Sequence, residues 1–179
     1  MPKINRITQE GKKAIANLLN TALQIEYGVI LNYPRIIDQL VNIDKATDKN
    51  LINNLERLGK DSFRHSAVVS KLIEELGGKV EWEMAAIDRL IDISSMLSEQ
   101  LEKERVAMSI YEDAKHIAQK NQAKSRGFWG KMFLRRMEIR NDIMRSKVID
   151  ILTKLQYEER EHIKLVEVTL SQIGTTPEK

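Results

Sequence analysis

Apolar residues recur at alternating three- and four-residue steps in four separate stretches of the chain, the spacing of one face of an α-helix. In the first, Ile15, Leu18, Leu19, Ala22, Leu23, Ile30, Tyr33 and Ile37 share a stripe, and Glu26 lies inside it. Pro34 removes a backbone donor and predicts a kink about one turn below Ile30. The Asx- and Lys-rich VNIDKATDKN reads as a turn. The second stripe runs Leu51, Leu55, Leu58, Ser62, His65, Val69, Leu72 and Leu76, then stops at Gly77-Gly78, since glycine accepts the left-handed cap at a helix C-terminus. A less regular connection over 79–91 carries Trp82. The third stripe begins near Asp92 and passes Leu97, Leu101, Glu104, Met108 and Tyr111. The fourth begins after Gly130, passes Val148, Leu152, Leu155, Glu159, His162, Val166 and Ile173, and ends at Gly174.

Four amphipathic helices with little between them predict an all-α four-helix bundle, in which the stripes converge on a common axis. The links between the first pair and the last pair read as hairpins, while the stretch after Gly78 is long enough to cross the bundle end to end. The expected topology is up-down-down-up with one long crossover. The whole chain, 1–179, is expected to form a single domain, with an extended third-to-fourth hairpin over 120–147.

Composition narrows the chemistry. Only 5% of the 179 residues are aromatic, against 42% hydrophobic and 31% charged, which suits helices better than a β-sandwich or barrel. With no Cys, thiolate metal sites, disulfides and thiol nucleophiles are excluded, so His and carboxylates are the plausible ligands for a hard or borderline metal. No run of 18 apolar residues occurs and the N-terminus MPKINRITQEGKK has no apolar segment, so neither a membrane span nor a secretion signal is expected and a cytoplasmic location is the default.

The inward stripes carry three Glu and two His, and an unpaired carboxylate in an apolar interior costs several kcal/mol even after relaxation, so these groups need a common explanation. A metal centre provides one. Dinuclear carboxylate sites in helical bundles use one Glu from each of two helices and a Glu-x-x-His pair from each of the others. Here Glu26 and Glu104 are the single carboxylates, Glu159 and His162 form a complete pair, and His65 belongs to a pair whose first member is Ser62. Residues level in a helical hairpin are equidistant from its turn. The midpoint of Glu26 and His65 falls in the predicted turn at Asp44 to Thr47, and that of Glu104 and His162 falls at Phe133, beside the RGFWG break. Both hairpins therefore bring their candidate ligands to one height.

At these residues the chain resembles the ferritin-like superfamily, and most closely bacterioferritin and the helical domain of rubrerythrin. LLNTALQIEYGVILNY is similar to the first bacterioferritin helix, with its ligand at Glu26 and a metal-adjacent tyrosine at Tyr33; HSAVVSKLIEELGG is similar to the end of the second, with His65. DISSMLSEQLEKE resembles the start of the third, with Glu104, and EEREHIKLVEVTLSQIG the fourth, with Glu159 and His162. The resemblance implies a dinuclear non-haem iron centre that oxidises Fe(II) with O₂ or peroxide, manganese and zinc being the alternative metals, and a homo-oligomer of two or more chains. It implies that Glu26 and His65 hold one metal, Glu104 and His162 the other, and that Glu159 bridges, with Tyr33 donating an electron or a hydrogen bond. Three departures stand out. The second-helix bridging Glu is Ser62, with Asp61 and Glu158 as the nearest substitutes; the haem-binding Met is Phe63, so no haem is expected; and no Cys is present for a rubredoxin domain.

His116 reads as a surface residue, and Met96 and Met108 as core filling. Segment 120–147 carries nine Lys and Arg against Glu138 and Asp142, a net charge of about +7 against about −4 for the rest of a chain of net charge +3, so basic charge is concentrated near one turn, whose tip is the aromatic GFWGKMF. A solvated basic face is the plain reading; docking to a partner subunit, an anionic membrane or nucleic acid is the alternative. Two rival functions follow: a non-catalytic interaction module acting through this arm, and a diiron oxygenase with an organic substrate.

Overall fold

The computed structural model describes residues 7–42, 49–83, 92–120 and 131–174, the backbone alone for 131–142 and 174. Four helices follow one another: α1 (Gln9–Asn42), α2 (Lys49–Glu75), α3 (Ile93–Lys120) and α4 (Lys131–Gly174). α1 packs on α2 and α3, α3 on α4, and α2 approaches α4 more sparingly. Helices adjacent around the bundle are therefore α1, α2, α4 and α3 in turn, with α2 and α3 on a diagonal, as one long crossover requires. The basic tip at 121–130 and the turn at 43–48 lie outside the described residues.

Local chemistry sets the ends of these helices. Thr8 Oγ1 accepts the Gly11 amide at 3.0 Å and Asp92 Oδ1 the Ser95 amide at 2.8 Å, each satisfying an amide that the first helical turn leaves without a partner. α2 stops where Gly77 takes φ +80°, and the Gly78 amide reaches back to the Ile73 carbonyl at 2.9 Å. α1 continues through Pro34 to Asn42. By length and composition it is also apolar enough to cross a membrane, but half of its most apolar stretch is buried in the bundle.

The crossover is strapped to α1 as it leaves α2. Asn20 donates to the Lys79 carbonyl at 2.9 Å and accepts the Glu81 amide at 3.1 Å; Gln24 donates to the Glu81 carbonyl at 2.8 Å. Trp82 stacks on Tyr27 at 4.6 Å between ring centroids. Asn20, Gln24 and Tyr27 are one helical face, so α1 aligns the link before it crosses.

The core is split in two. One apolar cluster gathers Ile15, Leu19, Leu23, Leu72, Val148 and Leu152; the other gathers Val29, Ile36, Leu55, Leu58, Leu97 and Val166. Between them, in sequence position along every helix, lie the buried Glu26, Ser62, His65, Glu104, Glu159 and His162. Tyr111 belongs to the first cluster and Tyr33 to the second, so one phenol faces the polar layer from each side. Met96 is buried and His116 exposed, as predicted; Met108 is half-buried, because Ala107 and Ile110 take the inner positions of that turn. Two residues at the root of the basic arm have structural work: Arg145 caps the Ala118 and Gln119 carbonyls at the end of α3, and Lys147 pairs with Glu75 of α2 at 2.6 Å.

Candidate metal centre

Each helix contributes one level of the polar layer. Glu26 comes from α1, Ser62 and His65 from α2, Glu104 from α3, and Glu159 and His162 from α4. Three residues along a helix turn about 300°, which leaves Glu159 and His162 on one face, as it does Ser62 and His65. All six are at most 2% exposed.

Glu159 is the hub. Its Oε1 lies 2.8 Å from His65 Nδ1 and its Oε2 lies 3.4 Å from His162 Nδ1. Each imidazole meets a second carboxylate through the same nitrogen: His65 Nδ1 is 3.4 Å from Glu26 Oε1, and His162 Nδ1 is 3.3 Å from Glu104 Oε2. The two rings stack with centroids 5.2 Å apart. One donor atom from each of His65, Glu159 and His162 lies within 4.8 Å of the others.

The spacing and the alignment of these atoms point the same way. Two ligands about 2.0–2.2 Å from one cation, subtending about 90–110°, sit roughly 2.8–3.6 Å apart. The four separations above fall in that range. Despite its short distance to Glu159, His65 Nδ1 has no aligned hydrogen bond, and neither oxygen of Glu159 has a donor. Three carboxylates and two imidazoles at these separations form a donor set that suits a divalent iron-group ion.

The outer edges of the imidazoles are held by carboxylates. His65 Nε2 is 3.1 Å from Glu158 Oε2 and His162 Nε2 is 3.4 Å from Asp61 Oδ2, while Arg64 spans both acids at 3.2 Å. Such partners orient a ligating histidine and raise its basicity. Asp61 and Glu158 therefore do not stand in for the missing bridging glutamate. Each precedes Ser62 or Glu159 by one residue, a rotation of about 100° that carries it from the inner face to the rim.

The electrostatics follow from burial. Burial works against protonation of His65, but the Glu159 and Glu26 carboxylates outweigh it and raise its pKa to about 10. His162, buried beside Glu104 and Glu159, is raised to about 11. Burial, joined by the Glu159 carboxylate, pushes Glu104 up to about 8 against the pull of His162. Asp61 is held below the ordinary carboxylate range because Arg64 and His162 outweigh its burial. The surrounding carboxylates thus favour a proton on each imidazole, and a cation held by these nitrogens would have to displace it.

Tyr33 donates to Glu104 Oε1 at 3.2 Å. Tyr111, unmarked as a functional residue by the sequence pattern, donates to Glu26 Oε1 at 2.8 Å. Burial first, and then the neighbouring carboxylates, push both phenols well above their usual range, so both remain protonated donors. A signal for Tyr111 was present in the chain: Glu104 and Tyr111 repeat the seven-residue spacing of Glu26 and Tyr33.

No protein-family model matches the sequence, and no curated protein is similar to it by sequence search. Among solved structures, a ferritin-like diiron-carboxylate protein from Bacillus anthracis str. Ames superposes with a TM-score of 0.66 at 18% identity, covering 89% of this chain and 97% of the other. Rhodobacter capsulatus bacterioferritin, in a form with a metal-free dinuclear site and haem iron, gives 0.55 at 16% identity over 88% and 84% of the two chains. Desulfovibrio desulfuricans bacterioferritin, with its diiron site, gives 0.52 at 19% identity over 96% and 92%. The chain has the ferritin-like four-helix fold, built around a buried Glu/His layer.

Proposed function

We propose that this chain is a non-haem iron protein that binds Fe(II) in a dinuclear carboxylate/histidine centre and oxidises it with O₂ or peroxide. The observation that carries this reading is Glu159: two buried carboxylate oxygens without a hydrogen-bond donor, each facing the Nδ1 of a different histidine. Glu26 and His65 would hold one metal, Glu104 and His162 the other, with Glu159 shared. Bound there, iron would supply the redox chemistry, its electrons passing to O₂ or peroxide.

The protein side of that reaction is legible. Glu158 and Asp61 fix the imidazole orientations, so that Nδ1 faces inward on both. Tyr111 and Tyr33 hold Glu26 and Glu104 in position, and Tyr33 offers a phenol through which an electron or proton reaches the centre. The two apolar clusters keep bulk water away from both ends. Haem is not part of this reading, because Phe63 carries no ligand atom. A homo-oligomer and a cytoplasmic setting are part of it, the former supported by the exposed Leu31, Val41 and Phe63 on the α1–α2 face.

Anaerobic Fe(II) titration followed by admission of air tests the proposal. Bound iron that turns ferric on air, with a rise in near-ultraviolet absorbance, supports it. Absence of binding favours a non-catalytic interaction module instead. One feature favours an oxygenase reading: a groove of about 680 Å³ between α1 and α2, lined by Ile30, Tyr33, Pro34, Leu55 and Phe63, brings an apolar surface to Tyr33. Uptake of O₂ coupled to oxidation of an apolar organic compound, rather than to Fe(II) alone, would select that reading.

A further inference from the structure

Ser62 holds on α2 the place that Glu159 holds on α4, three residues before the histidine that turns Nδ1 inward. It is fully buried, and its Oγ has no partner. Helical serines commonly bond the carbonyl one turn back, and this one does not. Among the described residues six buried side-chain polar atoms lack a protein partner, and four of them belong to Ser62, His65 and Glu159. An alanine at 62 would avoid the cost of an unpaired hydroxyl in this layer. The hydroxyl is therefore to be explained by something it binds.

Chemistry identifies what is missing. A glutamate extends beyond its Cβ by CH₂–COO⁻, a fragment with the size and charge of acetate. Glu26, Glu104 and Glu159 bring three negative charges to a site meant for two divalent cations, so the buried layer is short of anionic charge. The nearby acids cannot turn in to supply it, since Asp61 and Glu158 are committed to the outer imidazole nitrogens and to Arg64. Ser62 is fully buried between the helices, so a ligand at its hydroxyl has to be small.

We propose that Ser62 creates a binding site for a small exogenous monocarboxylate of acetate size, which completes the metal centre from the α2 side. This inference rests on the dinuclear reading above. The carboxylate supplies the ligand oxygens and the negative charge that a glutamate would supply, and accepts a hydrogen bond from the Ser62 hydroxyl. The chain thereby couples occupancy of its second metal to the presence of an organic acid.

Manganese(II) titrations of the full metal-free chain, followed by equilibrium dialysis and electron paramagnetic resonance, test this without an activity readout. In carboxylate-free buffer one tight metal per chain is expected. With acetate at about ten times its dissociation constant, the affinity for a second metal rises about tenfold, and the spectrum changes to that of a coupled pair. Formate acts likewise and bulky pivalate does not. Ser62→Glu binds two metals without acetate and ignores it, and Ser62→Ala binds acetate more weakly. Should the glutamate variant not fold, the formate, acetate and pivalate series on the native chain still decides. Two tight metals in carboxylate-free buffer, or one metal whatever the anion, would overturn the carboxylate site while leaving a metal centre standing. Failure to bind metal in either buffer would overturn the metal centre itself, and this site with it.

Discussion

Tyr33 and Tyr111 are crossed: each stands seven residues after a buried glutamate, and each donates its hydroxyl to the glutamate of the other's helix, Tyr33 to Glu104 and Tyr111 to Glu26. The histidines repeat the pattern, since Asp61 of α2 serves His162 of α4, and Glu158 of α4 serves His65 of α2. The interior thus has an approximate two-fold arrangement of Glu-x₆-Tyr and acid-x₃-His units. Among the buried residues of this layer, Ser62 against Glu159 is where the halves differ in charge.

Tyr111→Phe removes a donor from a buried carboxylate, and a hydrogen bond to a charged group is worth about 1.5–3 kcal/mol. Chemical denaturation of the metal-free protein should show a loss in that range. Tyr33→Phe should cost less, given its longer contact of 3.2 Å against 2.8 Å. If the two variants act independently, the double variant should show the sum of the single losses.

Glu159→Gln keeps the volume of the side chain and removes the shared negative charge. It should lower metal affinity beyond the roughly 10–100-fold expected for an outer partner, with the helical circular dichroism signal retained. Calorimetric titration with a divalent ion checks this. Affinity within tenfold of the native value would argue against a shared role for Glu159.

Glu158→Gln and Asp61→Asn leave the inner donors in place but weaken their orientation. Each should reduce metal affinity by about 10–100-fold without changing the number of ions bound. Arg64→Met, which releases both acids together, should have an effect in the same direction, measured by the same titration.

The metal-free chain should lose stability as pH rises above neutrality. His65 and His162 have folded-state pKa values raised to about 10 and about 11 from 6.5, so the stability they contribute is complete below their unfolded pKa and vanishes as pH rises through the folded values. Glu104, raised to about 8 from 4.5, acts in the same direction, since its protonated form is favoured by folding. Thermal denaturation of the apo-protein from pH 6 to pH 11 should therefore show a falling melting temperature. Metal uptake should release protons near neutral pH, detectable with an indicator dye in weak buffer.

Much of the fold could be read from the chain, because an α-helix converts sequence spacing directly into direction. Alternating threes and fours place Glu26, Ser62, His65, Glu104, Glu159 and His162 on inward faces whatever the neighbouring helix is, and equal distance from a turn places them at one height. The Gly77-Gly78 stop and the long link after it gave the diagonal placement of α2 and α3 for the same local reason. Contacts between helices carry no such period. Which nitrogen of each imidazole turns inward, which carboxylate each tyrosine reaches across the bundle, and the clasp of Arg64 over two acids depend on side-chain rotamers chosen by atoms from other helices. Asp61 and Glu158 looked like spare bridging ligands along the chain, yet in space they back the histidines, since a single residue step already turns them toward the rim.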